Sequence, residues 1–149
     1  MILWRISNHL SLDGRGGLLW PGRWHTRGRR VVYCTQSPAA ALLERLVHLE
    51  LAPGELPVRY RLLKIEIPDA ASIERLEVGM LPDRWIEREE STQTIGNAWL
   101  AGGLSALLLV PSAIVPETTN VLINPAHASA AAIEIVGTSD HVIDSRLLR

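Results

Sequence analysis

The chain has 149 residues, 47% of them apolar, and a formal charge of −1. That length and composition fit one globular domain with its own core and exclude a disordered chain. The near-neutral charge gives no global electrostatic reason to expect nucleic acid or an anionic membrane, although Arg23, Arg27, Arg29 and Arg30 crowd into a short stretch. Cys34 is the single cysteine, which excludes an intrachain disulfide and argues against a cysteine-based zinc site. The apolar start, broken by Arg5, is too short for the core of a signal peptide, and the longest later apolar run, Ala106–Val110, is far below a membrane span. The chain reads as a cytoplasmic, soluble protein.

In chain order, Ile2–Ile6 reads as a short strand, and Leu12–Arg30, rich in Gly and Arg without sustained periodicity, as a long ordered loop. The β-branched and aromatic run Arg30–Thr35 is a strand. Ser37 and Pro38 supply an N-cap and a first-turn proline for a helix reaching about Leu49. Arg59–Ile67 alternates as a strand and stops at Pro68–Asp69. Pro82–Glu90 reads as loop, and Thr92–Ala101 as a helix capped by Ser91 and stopped by Gly102–Gly103. Ala106–Val110, ended by Pro111, suits a buried strand, with Val121–Ile123, Ala132–Val136 and Val142–Ile143 as further short strands. Strands outnumber helices without alternating with them, which predicts a single compact α+β domain over residues 1–149.

Several common motifs fail. Asp13–Gly17 starts like a dinucleotide loop, but the third glycine of G-x-G-x-x-G falls on Leu19 and no helix follows. Walker A and G-x-S-x-G patterns are absent. His9, His25, His48, His127 and His141 show no ligand spacing, so no metal is expected. The helix after Pro38 is more informative. At about 100° per residue, Leu42, Leu43, Leu46, Val47 and Leu49 share one face, and Glu44 lies nearly opposite, beside Ala40, Ala41 and His48. A solvated face ordinarily carries long polar side chains; two alanines beside a carboxylate leave room for a ligand.

Seven segments taken together resemble the RES family, named for an arginine, a glutamate and a serine. They are Trp4-Arg5-Ile6; Gly14–Gly17 leading to Gly22-Arg23-Trp24; Val32-Tyr33; Ala40-Ala41-Leu42-Leu43-Glu44; Ser91-Thr92-Gln93-Thr94-Ile95-Gly96 with Trp99-Leu100; Val110-Pro111-Ser112-Ala113; and Asn120 through Asn124-Pro125-Ala126-His127. They run in the family's order and span nearly the whole chain. The chain departs from the pattern at Pro21, at His25 (where asparagine is common), and at Ala128-Ser129-Ala130, where an aromatic is usual after His127.

The resemblance implies a fold similar to ADP-ribosyltransferase toxins and the toxin half of a bacterial toxin–antitoxin pair. It implies NAD+ as substrate, with no separate cofactor, and cleavage of the nicotinamide–ribose bond by hydrolysis or phosphorolysis, with growth arrest as the consequence. It also implies a cognate Xre-like helix-turn-helix antitoxin that covers the active site and through which the toxin assembles into oligomers; the toxin itself has no direct nucleic-acid role. Mapped residue by residue, the family pattern puts Arg5 and Arg23 at the pyrophosphate and adjacent ribose and Tyr33 against the nicotinamide ring. Glu44 falls at the 2′-hydroxyl of the nicotinamide-side ribose, Ser112 at the ligand or Glu44, and Asn124 at a site-shaping position. Two alternatives stay open: a mono-ADP-ribosyltransferase that modifies a specific host protein, and a catalytically silent module that only binds its antitoxin.

Overall fold

A computed structural model describes residues 1–52 and 54–149. Seven strands, β1 (Ile2–Ile6), β2 (Val32–Thr35), β3 (Arg59–Glu66), β4 (Ile73–Arg75), β5 (Leu107–Pro111), β6 (Thr119–Ile123) and β7 (Glu134–Val142), form one sheet in the order β4-β5-β6-β2-β1-β3-β7. All neighbours are antiparallel except β4 and β5. Period-two alternation divides the apolar residues between the two faces of the sheet. Leu107, Leu109, Val121, Ile123, Val32, Cys34, Leu3, Leu63 and Ile65 form one buried cluster. Leu108, Val110 and Leu122 face the other way, into a second cluster with Trp24, Val31 and Trp85.

Among the described residues three α-helices accompany the sheet: α1 (Gly16–Leu19), α2 (Pro38–Val47) and α3 (Glu89–Gly102). α2 starts as the sequence indicates, with the Ser37 hydroxyl accepting from the Ala40 amide at 3.1 Å and proline in the first turn. Its orientation is the reverse of what its leucines suggest. Ala40 and Ala41 are buried, whereas Leu42, Leu43 and Leu46 are only half-buried and Val47 is exposed. Small side chains let the helix backbone sit close to the sheet, so the alanine face is the inward one, and Glu44 rides on it.

α3 packs Ile95, Trp99 and Leu100 on the second cluster. It begins at Glu89, earlier than expected; Ser91 lies in its first turn and donates to the Arg88 carbonyl instead of capping. The stretch Leu12–Arg30 is not wholly loop, since α1 and a Gly22–His25 bridge interrupt it. β4 was unforeseen, being three exposed residues on a sheet edge. Two expected short strands, Ala132–Val136 and Val142–Ile143, are instead one nine-residue strand, β7, preceded by a 3₁₀ turn over Ala128–Ala132. The polar run Gly137–His141 pairs with β3 because an edge strand needs only backbone partners on one side, and the Arg61–Asp140 ion pair spans the two strands.

Candidate active site

A cleft of about 640 Å³ opens beside the centre of the sheet, where β1 and β2 pair at one position only, Trp4 with Thr35. Beyond that pair the strands stop bonding to each other. There the Arg5 guanidinium donates from Nη1 to the Tyr33 carbonyl at 2.9 Å, while its Nε is buried without a partner. Arg5 thus crosses the gap between strands and holds a fixed positive charge in the cleft wall.

Another part of the wall is the segment Trp20–His25, which has little regular structure and is held by side-chain bonds. Buried His25 accepts and donates in a determinate way. The Trp20 carbonyl can only accept, so Nε2 carries the proton and donates to it at 2.9 Å; Nδ1 therefore accepts from the Tyr33 hydroxyl at 2.7 Å. The same hydroxyl accepts from the Trp24 amide at 3.0 Å. Burial pushes the His25 pKa down, keeping the ring neutral, and pushes the Tyr33 phenol up, so both stay in the protonation states these bonds require. Gly22 leaves room for them: a Cβ there would lie 2.6 Å from the Tyr33 hydroxyl, so Tyr33 and His25 would have to shift. From behind, α3 ties down this wall. Thr92 donates to the Arg23 carbonyl at 2.6 Å, Gln93 to the Gly22 carbonyl at 3.0 Å, and Asn97 exchanges two bonds with Thr26. Arg23 itself donates to the Ile86 carbonyl at 2.9 Å and lines the cleft.

Glu44 enters from α2. Its Oε1 accepts from the Ser112 hydroxyl at 2.8 Å and from the Asn120 amide at 2.7 Å. Ser112, 2% exposed at the end of β5, accepts the Ile114 and Val115 amides at 3.1 and 3.3 Å, so its own proton is directed at Glu44. Both bonds fall on one oxygen, and Oε2 has no partner among the described residues. The arrangement is a carboxylate fixed in orientation and kept in an acceptor role, facing a cleft with two guanidinium groups.

Arg5, Arg23, Tyr33 and Glu44 thus line one cleft, with Ser112 immediately behind Glu44. Asn124 is not with them. It lies past the end of β6, with its amide donating to the Leu100 carbonyl at 3.4 Å and its oxygen accepting from Ala126, which makes it the organiser of a turn. Asn120 takes the place assigned to it; it stands in the same segment, four residues earlier, but no sequence signal distinguishes the two asparagines. Among the described residues no group of three or more His, Cys, Asp or Glu is arranged to hold a metal ion, and no helix is long and apolar enough to cross a membrane.

Comparison with known proteins decides the kinship. The family model described as RES domain matches residues 2–145. The chain belongs to the RES domain family. It is 49% identical over 147 residues to a Pseudomonas putida protein named Toxin Res, covering 99% of each. It is 40% identical over 156 residues to a Sphingobium protein named Prs ADP-ribosylating toxin, covering 98% of this chain and 96% of that one. A Photorhabdus laumondii protein, also named Toxin Res, is 40% identical as well. A chain of the crystal structure of the M. tuberculosis MbcT–MbcA toxin–antitoxin complex superimposes with a TM-score of 0.76 at 18% identity, over 94% of this chain and 83% of that one. This likeness establishes that the two chains share one α+β fold. The coarse functional class of the RES chain is accordingly toxin.

Proposed function

We propose that this RES toxin acts on NAD+, breaking the bond between nicotinamide and ribose. The observation that carries the reading is the pinned Glu44 carboxylate on the inward face of α2, in the same cleft as Arg5, Arg23 and Tyr33. Each group suits a part of the reaction. Guanidinium forks pair with phosphate oxygens and stay charged, so Arg5 and Arg23 grip the diphosphate. The Tyr33 ring offers the nicotinamide a flat surface. Nicotinamide departs with the bonding pair as a neutral base, so no general acid is needed. Glu44 Oε2 accepts from the 2′-hydroxyl and stabilises the positive charge that develops on the sugar in the transition state, which raises turnover more than binding. The acceptor oxygen then bonds to C1′ and releases its proton.

With water or phosphate as acceptor the outcome is loss of NAD+ and arrest of growth in the cytoplasm. A second reading, transfer of ADP-ribose to a protein, is favoured by the 40% identity to the ADP-ribosylating relative from Sphingobium. The partner in this proposal is an Xre-like antitoxin that covers the cleft and links toxins into a larger assembly. An apolar rim supports such a cover: Trp20, 73% exposed, and Val47, 55% exposed, both border the opening.

The test is incubation of antitoxin-free protein with NAD+, with and without phosphate and with and without bacterial extract, following nicotinamide, the ADP-ribose product and labelled protein. The expected result is nicotinamide release that falls at least about a hundredfold in Glu44→Gln, the scale of losing one fixed electrostatic contact to a transition state. A fully active E44Q refutes the assignment. Label appearing on one protein, without free ADP-ribose, selects the second reading.

A further inference from the structure

Two donors, the Ser112 hydroxyl and the Asn120 amide, converge on Glu44 Oε1. Asn120 stands on β6 opposite Thr35 of β2 and Val110 of β5, a position fixed by ladders on both sides. A carboxylate can only accept, so the nitrogen of the amide faces Glu44 and the oxygen must turn away from it. That oxygen is buried and has no hydrogen-bond partner. The neighbouring Thr35 hydroxyl does not reach it; it donates to the Ser37 carbonyl at 2.8 Å and, more weakly, to the Trp4 carbonyl. An unsatisfied buried carbonyl is a standing cost to the fold.

From this juxtaposition we infer that Asn120 is a positioning residue, retained because its amide N–H, together with the Ser112 hydroxyl, locks the Glu44 carboxylate in one rotamer with Oε2 free toward the cleft. Asn120 itself borders the cleft, and the role inferred for it is to hold Glu44. It acts through Glu44, and its unpaired carbonyl is the structural consequence. The inference rests on the NAD+ reading given above and deepens it.

The experiment compares N120A and N120L with the wild type as antitoxin-free chains. N120A removes the donor and the side chain; N120L removes the donor, keeps nearly the same shape and adds no charge beside Glu44. Loss of one hydrogen bond to a charged group predicts a fall in kcat for nicotinamide release of about tenfold to a hundredfold. KM for NAD+ should stay within about threefold, because Glu44 acts on charge present mainly in the transition state. Near-ultraviolet circular dichroism of the five tryptophans checks the fold, and if N120A is misfolded the nearly isosteric N120L carries the test. A kcat within about twofold of wild type in the folded variants overturns the inference, as does a KM that rises by as much as kcat falls. If the wild type releases no nicotinamide, the NAD+ reading fails on its own. The hold on Glu44 is then read from a crystal structure of N120A: a carboxylate swung to another rotamer supports it, and one unmoved on Ser112 overturns it.

Discussion

Gly96→Ala separates the role of α3 as a clamp from its role as a mere helix. In an ordinary helix interior this change stabilises by up to about 1 kcal/mol, since alanine is the better helix former. Here a Cβ at residue 96 would stand 1.8 Å from the Trp24 carbonyl oxygen and 2.7 Å from its carbon. The obstacle is backbone, so α3 and the cleft wall must separate by more than about 1 Å, since Cβ atoms essentially never come within 3.0 Å of a heavy atom. Such a shift stretches the bonds from Thr92, Gln93 and Asn97 to the Gly22–Thr26 segment beyond useful length. Four bonds at about 0.5–1.5 kcal/mol each set a loss of roughly 2–6 kcal/mol, from which the propensity gain of about 1 is subtracted. For a chain of this size that lowers Tm on the order of 10 °C. Gly102, on the same helix with nothing within 4 Å of its would-be Cβ, is the control; Gly102→Ala should leave Tm unchanged or higher. Thermal unfolding by circular dichroism measures both. A G96A protein as stable as the wild type, or more so, would refute the claim that this helix braces the Arg23 wall.

Other outcomes follow from the same network. His25 has its pKa lowered from 6.5, first by burial, so the native state binds its proton less readily than the unfolded chain does. The stability this contributes is complete above about pH 6.5 and is lost as pH falls toward the folded value. Wild-type Tm should therefore drop between pH 7 and 5 more steeply than that of His25→Asn, measured by differential scanning calorimetry; parallel curves would show that His25 is not responsible. Cys34 is wholly buried and its thiol is pushed up to about 12 by desolvation, so a thiol reagent at pH 8 should leave the folded protein unlabelled and modify the chain only on unfolding. Rapid labelling of native protein would contradict that burial.

How legible these features were in the sequence depends on how local their causes are. The start of α2 was readable because Ser37 and Pro38 act within one turn. The buried strand at residues 107–111 was readable because both faces of the sheet are covered there, giving an unbroken apolar run. β4 and the polar half of β7 were not readable, because edge strands owe their conformation to a partner's backbone rather than to their own side chains. The segment around Trp20–His25 reads in the sequence as part of a long ordered loop, with nothing local to say what orders it. Its order comes from Tyr33 and from α3, residues distant in the sequence, and the Ser91–Gly96 motif gains its meaning only when seen bonded to that segment.

The Glu44 carboxylate shows why a cleft residue could be flagged by composition yet misplaced by amphipathicity. Counting leucines on α2 points Leu42, Leu43 and Leu46 at the core and Glu44 at solvent. The packing inverts this, because close approach of a helix to a sheet is limited by side-chain size, and the alanine side permits the nearest contact. A glutamate between alanines is therefore carried inward, where it must be paired, and β5 and β6 present Ser112 and Asn120 to do so. The two asparagines of the last motif diverge on similar grounds. Asn120 lies within β6, aligned by ladders on both sides, whereas Asn124 follows the last paired residue and turns its side chain to the chain reversal at Ala126. Strand membership decides which of the two reaches the carboxylate, and that is a property of pairing partners spread across the whole sheet.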